Sequence, residues 1–242
     1  ALPNTHTLCY ATSDRPDGNF SYQGVLVSNA DIIADNPERQ HVMNYWGNNH
    51  GSILKLKNQY YIFYHRNTNK CAFARQGCIE PLVRTSDGRF LQAELTSTGF
   101  SPEKLPLQGE YAFYTNCLLT RKNMPEFIPF SFFEFTDGDP FIAEEEQTEL
   151  AFVRNFCDGA MTGFRYLWAE GNESKMIIKA RGNAEGVLYI FQNDEKVGKI
   201  VLSPSNDWSI YQGKFSVKPG KSEIRFIFEG TGSADLLTFK TE

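Results

Sequence analysis

A chain of 242 residues can form one large all-β domain or two domains of about 100 to 150 residues, and two is the expectation. Its 41% hydrophobic and 22% charged residues suffice for a core and exclude a disordered or fibrous chain. The net charge of −5 lacks the basic excess that binding a phosphate backbone requires, so no nucleic-acid partner is expected.

In chain order, the N-terminal ALPNTHTLCY has no charged segment leading into an apolar one, and no later run approaches about 18 apolar residues. The sequence therefore reads as soluble, with no membrane partner and no visible address. Period-two alternation bounded by Gly, Asn, Asp and Pro predicts short strands at Leu8–Thr12, Tyr22–Val27, Ser52–Leu56, Tyr60–His65, Cys71–Ala74, Ile79–Arg84 and Phe90–Glu94. Turns fall at DRPDGN, KNQ and SDG, and the pair Asp87–Gly88 is a hairpin signal. From 101 to 140 the periodicity is poor and Pro102, Pro106, Pro125, Pro129 and Pro140 interrupt the chain, which places the domain junction there. Within it, Phe127–Phe135 (FIPFSFFEF) carries five Phe in nine residues, too apolar for a free tether, so it is expected to pack against a domain. Strands resume at Leu150–Asn155, Thr162–Trp168, Lys175–Ala180, Gly186–Gln192, Ser209–Phe215, Glu223–Phe228 and Leu236–Lys240, a spacing that suggests a sandwich. The five cysteines include no CxxC, which gives no zinc spacing and reads as small buried apolar residues.

The densest polar cluster is NYWGNNHGS, Asn44–Ser52. A Gly-flanked histidine at the mouth of a strand can present a ring nitrogen to a ligand or metal, so His50 is a candidate, and His65 in YHR a weaker one. A structural role is the alternative for both. Arg75 in FARQ is either an exposed strand residue or a guanidinium aimed into a polar pocket.

Asn49–Ser52 (NHGS), LKNQYYIFYHR, FARQGCIEPL and DGRFLQAELTSTG, together with LCYATSDRPDGNFSYQG upstream, resemble the last blades of family 43 glycoside hydrolases of the xylosidase and arabinofuranosidase type. The resemblance covers roughly residues 7 to 115. It implies the C-terminal blades of a five-bladed β-propeller over 1–118, and inverting hydrolysis of arabinose- or xylose-containing plant polysaccharides or oligosaccharides. By the same resemblance Asn49, His50 and Arg75 would bind substrate in the central funnel, with His50 also holding a cation or its water. Inversion needs an acid and a base roughly 6.5 to 9.5 Å apart, and in this family both lie in blades before LCYATSD. They are expected outside this chain. Asp14 and Asp17 read as turn residues, Asp31 as a surface loop residue and Glu80 as half of a strand-end ion pair. Two blades alone leave strand edges uncovered, which calls for a missing N-terminal propeller segment, a second copy, or the sandwich with its linker at 119–140.

Residues 141–242 resemble family 6 carbohydrate-binding modules, a jelly-roll β-sandwich, through IAEEE, DGAMTGFRY, the Trp208 strand, PGKSEIRFIFEG and SADLLTF. That resemblance implies Trp208 as an aromatic that stacks on sugar, and calcium held by Glu144, Glu146 and Asp235. A core position is the alternative for Trp208, a solvated acidic face the alternative for the glutamates, and Ser233 stands where such modules often use Asn. Two readings follow: part of a glycoside hydrolase, periplasmic or secreted if its parent carries a signal peptide, or a non-catalytic protein that binds glycan through, or is merely braced by, its sandwich.

Overall fold

The computed structural model describes residues 7–33, 35–44, 49–69, 73–100, 105–122 and 138–242. The described residues fall into two compact units, the first formed by the chain up to Leu95 and the second by the chain from Thr96 on. Both are all-β.

The first unit opens with β1 (Thr7–Thr12) and β2 (Ser21–Ser28), antiparallel from Thr7↔Ser28 to Thr12↔Ser21. The DRPDGN turn closes them through an Arg15↔Gly18 bridge and an Arg15–Asp17 ion pair, so Asp17 does turn chemistry as expected. A meander of β3 (Gly51–Leu56), β4 (Gln59–Asn67) and β5 (Arg75–Leu82) follows. Lys57, at φ 53°, takes the left-handed conformation that lets the chain reverse in the KNQ turn. Antiparallel meanders of this kind build propeller blades. Alternation along β4 buries Ile62, Tyr64 and Arg66 on one face, opposite Glu80, Cys78 and Gln76 of β5. Val27, Ile32, Ile62, Leu82 and Leu95 form the apolar interior.

Three expectations change here. Asp31 is no surface residue: it is 1% exposed, with its carboxylate held by Arg39 at 2.6 Å and by the Leu95 N–H at 3.4 Å. Residues 90–94 form no strand; Phe90 only bridges Arg84, and Ala93 N–H reaches the Leu26 carbonyl, because the turn around Gly88 (φ 89°) folds the segment back on itself. Of the expected Cys71–Ala74 strand, residues 71 and 72 lie outside the described residues, and Phe73 and Ala74 are not in a strand.

The second unit is a β-sandwich. It begins with three short strands, β6 (Leu105–Pro106), β7 (Glu110–Ala112) and β8 (Leu118–Thr120), so it takes in residues that the sequence assigns to the first domain and to the linker. Pro106 is tolerated because β6 is an edge strand. The stretch Phe127–Phe135 lies outside the described residues. The remaining strands are β9 (Phe141–Glu145), β10 (Leu150–Cys157), β11 (Met161–Ala169), β12 (Lys175–Gly182), β13 (Glu185–Gln192), β14 (Glu195–Leu202), β15 (Ser205–Lys214), β16 (Gly220–Thr231) and β17 (Ser233–Thr241). One sheet runs β15-β12-β17-β10-β9, with β7 continuing beside β17; the other runs β14-β13-β16-β11-β6, with β8 beside β11. Between them sit Phe113, Phe164, Phe226 and Phe239, fully buried, with ring pairs at 4.7 Å (164–239) and 5.1 Å (226–239, 113–226).

The row Val153, Leu236 and Ala180 marks the buried inner face of the first of these sheets, since cross-strand partners share a face. Their neighbours Phe152, Asp235 and Arg181 therefore point outward. There Ala143, Phe152 and Leu237 form a second apolar cluster, covered by Phe141, Leu150 and Trp208.

Candidate functional site

In the first unit the structure brings together the residues singled out around the strand mouth. Arg75 opposes Asn67 at the start of β5, and His65 opposes Gly77, so both project from the face that does not carry Tyr64 and Glu80. His50, one residue before β3, donates its backbone N–H to His65 Nε2 at 3.1 Å, and its Nδ1 lies 3.1 Å from the same atom. An accepting Nε2 requires the His65 proton on Nδ1, which is buried and has no partner among the described residues. Burial, then the Arg75 guanidinium and His50, holds the His65 imidazole below its ordinary range, which keeps Nε2 an acceptor. Asn49 donates to Asn29 Oδ1 at 3.1 Å, and Asn29 in turn donates to the His65 carbonyl at 3.2 Å. Asn49, His50, His65 and Arg75 thus form one polar group with exposed His50 and Arg75 outermost. Such a group can donate hydrogen bonds to hydroxyls through Asn and Arg, and carries a fixed positive charge.

The opposite face of the meander holds residues that the sequence reading passed over. Arg66, 4% exposed, donates to Asn44 Oδ1 and to Gln76 Oε1, both at 3.1 Å. Glu80 lies within β5 rather than at a strand end, is 1% exposed, and accepts the Tyr64 hydroxyl at 3.2 Å. Burial, reinforced by Glu80, pushes the Tyr64 hydroxyl well above its ordinary range. The signal was present in YYIFYHR, where period two puts Arg66 on the same side as Ile62 and Tyr64.

On the sandwich, Trp208 is half-buried. Its ring meets Phe152 edge-on at 5.3 Å, and the Arg181 guanidinium covers it at 4.3 Å. The indole belongs to the outer apolar cluster yet keeps some exposure. The acids proposed for calcium do not converge. Glu144 and Glu146 are exposed, and alternation along β9 sends Glu145, not Glu144, to the face that carries Asp235. Asp235 accepts from Arg181 Nε at 3.2 Å and the Asn155 N–H at 3.4 Å. Among the described residues no group of three or more His, Cys, Asp or Glu side chains is placed to hold a metal ion. Glu144, Glu146 and Asp235 therefore do not fit calcium, and His50 faces His65 rather than carboxylates. Cys9, Cys78, Cys117 and Cys157 are all thiols; of these only Cys117 is buried as expected, and Cys9 is exposed.

No family model matches the chain. A xylosidase/arabinosidase of Thermoclostridium stercorarium is 37% identical over 240 residues, 97% of this chain and 50% of that protein. A xylosidase/arabinosidase of Bacteroides ovatus is 36% identical over 62 residues, 26% of this chain and 15% of that protein. The chain spans at most about half the length of these curated relatives. Among solved structures, a family 43 arabinoxylan arabinofuranohydrolase from Bacillus subtilis, in complex with cellotetraose, superposes with a TM-score of 0.51 at 16% identity, over 100% of this chain and 49% of that one. This likeness shows the fold. A family 6 carbohydrate-binding module from Clostridium cellulolyticum, in complex with xylose, gives a TM-score of 0.46 at 11% identity, over 57% of this chain and 99% of that one.

Proposed function

We propose that this chain, a relative of the family 43 glycoside hydrolases of the xylosidase/arabinosidase type, is the C-terminal portion of an inverting enzyme acting on arabinose- or xylose-containing plant glycans. Its first unit supplies Asn49, His50 and Arg75 to the sugar-binding funnel, and the general acid and base come from polypeptide upstream. The observation that carries this reading is the 37% identity over 97% of the chain to a protein twice its length. The site geometry supports it, because His50 and Asn49 are held through His65 and Asn29, with the Arg75 guanidinium near enough to act on His65, as one group that can hydrogen-bond a sugar. Three of the four acids weighed in the sequence have other occupations: Asp17 pairs with Arg15, Asp31 with Arg39, and Glu80 is buried against Tyr64. An inverting pair must leave room for a water between two available carboxyl groups.

The chain by itself is therefore expected to turn over aryl arabinofuranosides and xylosides at the background rate, whereas the longer parent hydrolyses them and loses activity on His50→Ala or Arg75→Ala. Hydrolysis by the purified chain that a single Asp or Glu substitution in the first unit abolishes would refute the placement of the acid and base upstream.

For the sandwich we propose weak glycan binding at Trp208, whose partly exposed indole sits on an open sheet face. Titrating xylo-oligosaccharides into the whole chain should give heat that Trp208→Ala removes. No heat at millimolar sugar would leave the sandwich with a bracing role only.

A further inference from the structure

The outward face around Trp208 is organised by a charge that the glycan reading does not use. Arg181 Nη2 lies 2.7 Å from Glu145 Oε1, and its Nε lies 3.2 Å from Asp235 Oδ2. The same guanidinium stacks over Trp208 at 4.3 Å and over Phe152 at 5.1 Å, while Arg154 lies over Phe152 at 4.9 Å and 3.7 Å from Asp235. Glu145, Phe152, Arg181, Trp208 and Asp235 come from β9, β10, β12, β15 and β17, which are the successive members of the sheet. One side chain of β12 thus touches a residue on each of the other four strands in the row β15-β12-β17-β10-β9.

We infer that Arg181 is the resident cation of this face and the positioning residue for Trp208: the guanidinium stands between Glu145 and Asp235 where a metal ion would otherwise be needed, and holds the indole against the sheet. Two carboxylates that converge on an open face repel each other unless a positive charge sits between them. Calcium could supply that charge, but Arg181 already does, and a second cation at the same place would meet the guanidinium at close range. The side chains are 23% (Arg181), 29% (Glu145) and 18% (Asp235) exposed, so the interaction is only partly screened by water. Planarity matters as much as charge. A guanidinium can fork to two acids in its own plane and offer its flat side to an indole, which the compact ammonium of lysine cannot do. Arg181 therefore sets the plane of Trp208, which stays half-buried.

This inference concerns the surface proposed for glycan but is read from the Trp208 indole itself, so failure to bind sugar would not touch it. The test uses the whole chain, with Trp208→Phe as the reference that isolates the Trp208 component from the emission of Trp46 and Trp168. Arg181→Gln is expected to raise acrylamide quenching of that component by about two-fold or more and to lower Tm by about 4 °C or more. Arg181→Lys should recover part of the Tm but not the protection from quenching. Neither EDTA nor calcium chloride should change the wild-type Tm through this face. Two results would overturn the proposal: a calcium-dependent rise in wild-type Tm that Asp235→Asn abolishes, or wild-type quenching of Trp208 in Arg181→Gln or Arg181→Lys. Should Arg181→Gln fail to fold, the lysine variant and the metal titration of wild type still decide it.

Discussion

Phe239→Ala is expected to destabilise the second unit by about 3 to 5 kcal/mol, the cost of truncating a fully buried phenylalanine that its neighbours cannot replace. Phe239 comes from β17, in the middle of its sheet, and its ring lies 4.7 Å from Phe164, 5.1 Å from Phe226, 5.3 Å from Phe113 and 5.4 Å from Tyr111. Phe164 and Phe226 come from the opposite sheet, and Phe113 from the short turn before β8. Removing Phe239 takes the common neighbour out of a cluster anchored on three separate backbones, which cannot close in together. Edge-on and tilted ring contacts add to the loss beyond buried area. Because β7 pairs with Thr238–Lys240, the same change loosens the segment that carries Phe113. Denaturant unfolding of the wild type and variant measures it, and a loss under about 1 kcal/mol would show that the cluster repacks.

Why some of this was legible in the sequence follows from where the information sits. In β4, YYIFYHR states its own alternation, and in β10 to β13 and β15 to β17 branched and aromatic residues recur with turn residues between them, so local pattern suffices. The opposite holds for β9 and β14. FIAEE and EKVGKIVL read as charged segments because each lies at or near a sheet edge, where one face need not be apolar. β6, β7 and β8 have two or three residues each, too few for a period to show, and so the first strands of the sandwich lie inside the proline-rich stretch that suggested a boundary.

The candidate sites divide in the same way. Asn49, His50 and Arg75 stood out as polar residues at strand mouths, and the register of β3, β4 and β5 brings them to a common place through His65. Asp31 and Glu80 looked ordinary because nothing in their neighbourhood names Arg39 or Tyr64 as partner. Arg181 is harder still. It ends an apolar strand, and its acid Asp235 is 54 residues away, so its role exists only once β12 and β17 pair.

The other sheet contains a buried charge network whose disruption should cost as much as the loss of Phe239. Arg165, with 5% of its side chain exposed, donates Nε to Glu223 Oε2, while Arg225 Nε lies 2.7 Å from Glu223 Oε1. Arg225 continues to Asp194, and Asn193 Oδ1 accepts the Glu223 backbone N–H at 3.1 Å, so the hairpin turn after β13 is tied to β16 and β11. Water cannot easily reach the Arg165 guanidinium. Glu223→Ala would leave it charged, since a guanidinium does not give up its proton, and the expected cost is about 3 to 5 kcal/mol. Arg225 keeps Asp194, so that arm of the network survives the change. This leads to a specific coupling: Arg165→Met, which removes the charge that Glu223 compensates while keeping apolar volume, should recover about 1 kcal/mol or more when added to Glu223→Ala. Urea unfolding of the wild type, both single variants and the double variant closes the cycle. If the two single losses simply add, Arg165 and Glu223 do not stabilise each other in the sandwich, and the network is packing rather than charge.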